Sequence, residues 1–183
     1  MTRQKISITT KTGDTGETRL FSGELVAKHS SRPDAYGDVD ELVSILGIAR
    51  CHCEKPLTRD SVLEIQRQLF IVGSELATTG AKLDRLPQRI DADRLRQLEE
   101  RMSALEAEVE IPSGFIVPGG SLAAGHLDLA RTVARRCERQ VSALLDDETI
   151  DNSTLLVWMN RLSDYLYLLA RFEEGEPTMV KEE

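Results

Sequence analysis

Apolar residues recur at alternating steps of three and four along most of the chain after residue 30, with polar residues between them. This spacing places the apolar side chains on one face of an α-helix, and such faces pack together in a bundle. The pattern predicts five helices, the first of them less regular than the rest. The apolar positions are, in chain order, Val39, Leu42, Val43, Leu46 and Ala49; Val62, Ile65, Leu69, Val72 and Leu76; Leu95, Leu98, Met102, Leu105 and Val109; Leu127, Ala130, Ala134, Cys137, Val141 and Leu144; and Leu155, Met159, Leu162, Leu166 and Leu169.

Helix-breaking and helix-capping residues separate these segments. Asp91 and Ser121 are suited to cap the third and fourth helices, because a side-chain oxygen can accept hydrogen bonds from the free N–H groups there. The boundaries predict helices of about 20 to 25 residues, a matched set for one bundle. The other boundary residues are Pro33, Pro56 and Thr58, Gly80 and Pro87, residues 112–114, Asp146-Asp147 and Asp151-Asn152.

The first 30 residues lack the helical pattern. Ile6 and Ile8 alternate with polar residues, and the stretch KTGDTGETRLFSGE that follows is rich in Gly and Thr. We therefore predict a single all-α domain, a five-helix bundle over residues 31–175 with an N-terminal arm over 1–30. Residues 176–183 are predicted to be a flexible C-terminal tail.

Composition narrows the function classes. A formal net charge of −8 makes the chain a poor candidate for binding nucleic acid or an anionic membrane. No run of about 18 apolar residues is present, so no membrane span is predicted. The N-terminal segment lacks the apolar stretch of a signal peptide, and the odd number of cysteines favours a reducing, cytoplasmic setting.

The sequence Cys51-His52-Cys53 could suggest a metal site. Zinc sites usually space their cysteines by two to four residues and need further ligands. Residues two apart on a helix also point to different faces. We therefore predict no metal site held by the protein alone.

Arginines are concentrated in the fourth predicted helix. Arg131, Arg135 and Arg139 recur at i, i+4 and i+8, so they form a row beside the apolar stripe of that helix. Guanidinium groups at the edge of a core can make bidentate contacts to phosphate or carboxylate. The alternative is a solvated face paired with acidic neighbours, and the spacing alone leaves both interpretations open.

The glycine- and threonine-rich stretch over residues 10–18 is a second candidate anion site. Its glycines allow backbone N–H groups to converge on an anion, and Lys11 and the threonines add donors. The stretch lacks the GKS or GKT ending of a Walker A motif. An ordinary glycine-rich turn is the alternative.

Three further residues have both a functional and a structural interpretation. Asp40 lies beside the first apolar stripe, where a buried carboxylate would need a partner such as an arginine, or it lies in water. Asn160 shares a helix face with Asp164 and can hold a ligand or bridge two helices. Phe115 stands in a loop, where it lines a cofactor pocket or plugs the end of the bundle.

Five stretches occur in order across nearly the whole chain: TKTGDTGETRL, RPDAYGDVDEL, FIVPGGS, ARTVARRCER and NRLSDYL. Together they closely resemble the PduO-type ATP:cob(I)alamin adenosyltransferases, a family of five-helix bundles that act as homotrimers. The resemblance implies transfer of the 5′-deoxyadenosyl group of ATP to the Co(I) centre of reduced cobalamin, with release of triphosphate. The alternative is a non-catalytic trimer that senses ATP or corrinoid, or that delivers adenosylcobalamin.

The resemblance also implies roles for single residues, in active sites that lie between subunits. Asp40 and Arg131 match a pair that joins neighbouring subunits beside the corrinoid, and Phe115 matches the aromatic residue that displaces the lower axial ligand of cobalamin. Arg135 joins these three in the catalytic set. The residues implied to bind ATP are Thr10, Lys11, Thr12 and Gly13 along the triphosphate, Thr18, Arg19 and Lys28 nearby, and Arg135, Glu138, Arg139 and Asn160 on the last two helices.

The implied ligands and partners follow from the same family. Mg²⁺ would accompany ATP and be held mainly by its phosphates, so no carboxylate cage is needed. A reductase and an adenosylcobalamin-dependent enzyme are the implied partners. Two positions depart from the family pattern: Val43 stands where Asn is usual, and Leu127-Asp128 stands where Leu-His is frequent.

Overall fold

The computed structural model describes residue 9 and residues 11–180 of the 183-residue chain. Over these residues it is a bundle of α-helices, which confirms the predicted fold class. Among the described residues, no helix combines the length and the apolar character needed to cross a membrane. The helices are α1 Ser31–His52, α2 Pro56–Leu76, α3 Ala92–Glu106, α4 Leu122–Asp146 and α5 Ser153–Glu174, with a short 3-10 helix at Gly80–Arg85.

Helix α4 lies at the centre of the bundle and packs against both α1 and α5. Ala124, Ala130 and Ala134 are fully buried there, and their small side chains let the neighbouring helices approach closely. Helix α2 covers α1, and α3 covers α5. Most of the predicted apolar stripe is buried in this core. The half-buried exceptions are Val43, Leu95, Met102 and Val109.

The helix ends follow the predicted capping chemistry, with one correction. Asp91 and Ser121 accept a hydrogen bond from the backbone N–H three residues on, as predicted, at 2.9 and 3.1 Å. Asn152 caps α5 in the same way at 3.3 Å. The correction concerns α3, which is only 15 residues long and ends at Glu106 rather than near Pro112. The sequence after residue 105 is rich in glutamate, and negative charge at a helix C-terminus is unfavourable because the helix dipole is negative there.

The C-terminal segment contains a short strand that the sequence pattern did not predict. Strand β4, Thr178–Met179, pairs antiparallel with β3, Ile116–Val117, in the loop before α4. The Val180 N–H also donates to the Phe115 carbonyl at 2.9 Å. Residues 178 and 179 of the predicted tail are therefore paired with this loop. Strands this short leave no periodic signal, and their pairing depends on a loop that is distant in sequence.

The arm forms a hairpin from strands β1, Glu17–Arg19, and β2, Leu25–Ala27. Lys82, in the 3-10 helix, reaches the turn of this hairpin and donates to the Ser22 carbonyl at 2.6 Å. Its Nζ also lies 2.6 Å from the Glu24 carboxylate. Hydrogen bonding from Lys82, followed by that from Ser22, lowers the pKa of Glu24 to about 2. Polar contacts therefore attach the arm to the chain that follows α2.

Candidate functional site

The glycine-rich part of the arm forms a compact turn with Lys28 against it. Gly16 donates its N–H to the Gly13 carbonyl at 3.2 Å, and the Lys28 N–H donates to the Gly16 carbonyl at 2.9 Å. A Cβ atom at Gly13 would lie 2.9 Å from the Lys28 ammonium, so the absence of a side chain makes room for that cation. Lys11 begins the turn with a positive φ of 59°. Thr10 lies outside the described residues.

The other predicted arm residues differ in solvent exposure and in the number of hydrogen-bond donors that remain available to a ligand. Thr12 is exposed in the same turn, and Thr18 is half-buried on β1. Arg19 is exposed, but its Nη1 donates to the Gly23 carbonyl in the hairpin turn at 3.0 Å. One donor of Arg19 is therefore used within the hairpin, and the rest of its guanidinium remains open to solvent.

The arginines of α4 divide into two groups. Arg136 forms ion pairs with two carboxylates of α1, with Asp38 at 3.1 Å and with Glu41. Hydrogen bonding to Asp38 is the main cause that raises the pKa of Arg136. Arg135 and Arg139 are exposed and form no ion pair within the part of the chain that the structure describes. Within the predicted row, pairing with an acidic neighbour therefore applies to Arg131, which contacts Asp128, while Arg135 and Arg139 keep their charge available for an anion.

Glu138, Arg139 and Asn160 come together between α4 and α5. The Asn160 amide donates to the Glu138 carboxylate at 2.9 Å and accepts from Arg161 at 2.9 Å. These residues line a cleft of about 400 Å³. The bridging interpretation of Asn160 is thus correct within the chain, and the same two bonds hold its amide at the cleft wall. Arg161, which was not among the predicted site residues, follows Asn160 directly in the NRLSDYL stretch.

Arg131 and Arg135 line a second cleft, of about 360 Å³, between α4, α5 and the end of α3. Ser163 and Asp164 of α5 form part of its wall. Since the next arginine of the row, Arg139, lines the first cleft, the row follows the α4–α5 edge of the bundle. The helical spacing predicted the row itself, beside the apolar stripe of α4, but not which neighbouring helix it faces.

Asp40 and Arg131 do not form an ion pair within one chain. Asp40 is exposed on α1, and no described residue forms an ion pair with it. Arg131 instead donates through Nε to the carboxylate of Asp128 at 3.3 Å. Within a single chain the Asp40 carboxylate therefore lies in water, which is the second of the two alternatives for this residue.

Phe115 is 88% exposed, so the interpretation as a core plug is wrong. The residue lies in the loop before β3 at the margin of an open cavity of about 1270 Å³. The rest of this cavity is lined by residues 108–114, by Lys55, and by Arg171, Phe172 and residues 175–180. Because β4 pairs beside Phe115, the C-terminal segment supports the loop that presents the ring.

The cysteines contribute no reactive thiolate at neutral pH where they are buried. Burial raises the pKa of Cys53 to about 11 and that of Cys137, within the arginine-rich part of α4, to about 12. Cys51 is exposed, and all three thiols are free. No group of three or more His, Cys, Asp or Glu side chains suited to a metal ion occurs among the described residues.

Comparison with known proteins gives consistent results. A family model described as cobalamin adenosyltransferase matches residues 8–173. A corrinoid adenosyltransferase of Citrobacter freundii is 38% identical over 170 residues, which cover 93% of this chain and 96% of that protein. The corrinoid adenosyltransferase PduO of Salmonella typhimurium is 37% identical, and the aligned region covers 93% of this chain but only 51% of that longer protein.

Solved structures resemble the bundle closely. A variant PduO-type ATP:corrinoid adenosyltransferase from Lactobacillus reuteri, complexed with cobalamin and ATP, superposes with a TM-score of 0.86 at 32% identity. The match covers 96% of this chain and 100% of that one. Another variant of the Lactobacillus reuteri enzyme, complexed with ATP, gives a TM-score of 0.82 at 32% identity, over 95% of this chain and 100% of that one.

Proposed function

The chain belongs to the cobalamin adenosyltransferase family, and we propose how its residues perform the reaction of an ATP:corrinoid adenosyltransferase. The enzyme transfers the 5′-deoxyadenosyl group of ATP to the Co(I) centre of a reduced corrinoid and releases triphosphate. The observation that carries the assignment of the ATP site is the row of α4, where Arg135 and Arg139 form no ion pair with any described residue.

The chemistry explains why cations matter here and why no protein nucleophile is needed. Co(I) attacks the 5′ carbon of the ribose, the carbon–oxygen bond breaks, and negative charge grows on the triphosphate. The protein must therefore hold two reactants in line and stabilise the leaving group. We assign Arg135 and Arg139 to the phosphates, because each retains donors for bidentate contacts. Lys11 and Lys28 of the arm supply further positive charge.

The polar pair Glu138 and Asn160 would fix the nucleotide against the α4–α5 edge. The Asn160 amide is already held by Glu138 and Arg161, so little side-chain freedom is lost when a ligand binds. Each amide hydrogen-bonding group can serve a second partner, since the nitrogen has two protons and the oxygen has two lone pairs. Thr10, Thr12, Gly13, Thr18 and Arg19 belong to the proposed ATP site through the arm that carries them.

The corrinoid is proposed to bind beside Phe115. An exposed aromatic ring at the rim of a large cavity is suited to cover the lower face of a flat macrocycle. Displacement of the lower axial ligand makes the reduction of Co(II) to Co(I) easier, while the corrinoid itself supplies the nucleophile. The role of the protein at this position is thus to exclude a ligand from cobalt.

Assembly and setting complete the proposal. We propose a homotrimer in which Asp40 of one subunit meets Arg131 of the next, because no described residue of the same chain pairs with Asp40. Mg²⁺ would enter with ATP, bound mainly by phosphate oxygens. A separate reductase would supply the electron, and an adenosylcobalamin-dependent enzyme would receive the product. Three free thiols support the predicted cytoplasmic location.

Turnover is the direct test of this function. Anaerobic incubation of the protein with ATP, Mg²⁺ and chemically reduced cobalamin should yield adenosylcobalamin, which is recognised by its light-sensitive absorption spectrum. Omission of ATP is the control and should yield none. Binding of ATP and corrinoid without any product would instead favour the non-catalytic sensor or delivery protein.

Arg139→Ala should weaken ATP binding by about 10- to 100-fold, because a hydrogen-bonded charged contact contributes about 1.5–3 kcal/mol. Calorimetric titration with Mg-ATP would measure the effect. Arg67→Ala is the matched control, since Arg67 is an exposed arginine on α2 with only a long ion pair to Glu64 at 3.8 Å. Equal ATP affinity in the two variants would show that Arg139 does not contribute to ATP binding.

A further inference from the structure

A buried carboxylate on α4 connects the row of arginines to the end of α5. Asp128 is only 4% exposed, and a buried aspartate is rare unless it is paired. One of its oxygens accepts from Arg171 Nη2 at 2.6 Å, and the other accepts from Arg131 Nε at 3.3 Å. The Asp128 carboxylate thus bridges two guanidinium groups on different helices.

The Arg171 side of this bridge is fixed by further contacts. The side chain of Arg171 is 2% exposed, and its Nη2 lies 2.7 Å from the carboxylate of Glu174. The other oxygen of Glu174 accepts from the Gly120 N–H at 3.1 Å, in the loop before α4. Two cations and two anions therefore balance within the cluster, which offsets part of the cost of burying these charges, although Nε and Nη1 of Arg171 have no hydrogen-bond partner among the described residues. Asp128 is held in place from the α5 side.

The Arg131 side is more open. The Arg131 side chain is 29% exposed and lines the cleft that it shares with Arg135. Only its Nε donates a hydrogen bond within the described residues, so both terminal nitrogens remain available. A hydrogen bond at Nε restricts the orientation of the whole planar guanidinium group. The contact with Asp128 therefore restricts the directions in which the two terminal nitrogens can point.

From this geometry we propose that Asp128 is a positioning residue for the transfer reaction, a role that rests on the proposed function of Arg131. Asp128, anchored by Arg171, holds Arg131 so that its terminal nitrogens face a neighbouring subunit and the corrinoid. The buried network is thereby connected to the reaction through one hydrogen bond. If the network were purely structural, the effect of an Asp128 substitution on kcat/KM would not depend on whether Arg131 is present.

A double-variant cycle distinguishes positioning from stability. Asp128→Asn should lower kcat/KM for the corrinoid by about 10- to 100-fold, the size of effect seen when the hydrogen-bond partner that orients a metal ligand is removed. The KM for ATP should change by less than about twofold, since the assigned phosphate residues are elsewhere on α4. Arg131→Lys keeps the charge but has no Nε. In that background Asp128→Asn should have little further effect on kcat/KM.

Two further variants keep the test decisive. Asp128→Glu retains the charge opposite Arg171 but displaces the carboxylate by one methylene, so it should fold and still lower kcat/KM. Asp146→Asn, an exposed carboxylate at the end of the same helix, is the matched control and should leave kcat/KM unchanged. Thermal melts of every variant report loss of stability separately.

The outcomes separate this inference from the proposal on which it rests. Multiplicative losses from Asp128→Asn and Arg131→Lys would overturn the positioning role, as would full activity of Asp128→Asn and Asp128→Glu. Full activity of Arg131→Lys would overturn it as well, because lysine cannot make the Nε contact. Arg131→Ala in the same assay tests the wider assignment, and only its full activity would contradict the proposed role of Arg131 itself.

Discussion

Asp40→Asn and Arg131→Ala should each lower the rate of adenosylcobalamin formation by about 100- to 5,000-fold, while the double variant should be scarcely worse than either single one. The expected size follows from the cost of leaving one charge of a poorly hydrated pair without its partner, about 3–5 kcal/mol. Because each substitution removes the same interaction, the two losses should not add. Steady-state rates of the four proteins, measured anaerobically, give the coupling directly.

The structure explains why this coupling should depend on assembly. Asp40 is exposed on α1 with no ion pair to any described residue, whereas Arg131 is fixed through Nε and has both terminal nitrogens available. In the proposed trimer, another subunit brings these two groups together. Light scattering should therefore show three times the mass of one chain at micromolar concentration.

Asp60→Asn, an exposed carboxylate on α2, is the control for loss of surface charge and should change neither mass nor rate. Strictly additive effects of Asp40→Asn and Arg131→Ala would show that the two residues act independently. A monomer with full activity would contradict the site between subunits altogether.

The elements that could be predicted are those whose cause is local. Alternating steps of three and four apolar residues specify a helix face wherever they occur, so the five helices of the bundle follow from the pattern. Asp91 and Ser121 act within three residues of their own position, and both cap as expected. The predicted length of α3 was wrong because the apolar spacing continues to Val109, whereas the helix ends at Glu106.

The features that could not be predicted depend on contacts between distant residues. Strand β4 exists because the loop after α3 lies beside it, and two residues carry no period of their own. The spacing of the α4 arginines could be predicted, but their pairing could not. Arg136 is paired because α1 places Asp38 and Glu41 beside it, whereas Arg139 has no such neighbours among the described residues. Asp128 was noted as a departure from the family pattern, and only the fold shows that it meets Arg171.

Phe115→Ala should slow adenosylation of cobalamin by about 10- to 100-fold and leave ATP affinity nearly unchanged. Covering apolar surface with a phenyl ring contributes about 1.5–3 kcal/mol, which corresponds to that range of rate. The loss should be much smaller with a corrinoid that already lacks the lower ligand, because nothing then has to be displaced from cobalt. Parallel rate measurements on the two corrinoids give the ratio that reports this role.

Stability decides between this role and an ordinary packing role. Truncation of a buried phenylalanine costs about 3–5 kcal/mol, whereas Phe115 is 88% exposed and its removal should barely change the melting temperature. Phe70→Ala, which truncates a 66% exposed ring on α2, is the matched control and should affect neither corrinoid. Since a general weakening of the protein acts on both substrates alike, equal losses on the two corrinoids together with a lowered melting temperature would refute displacement of the axial ligand by Phe115.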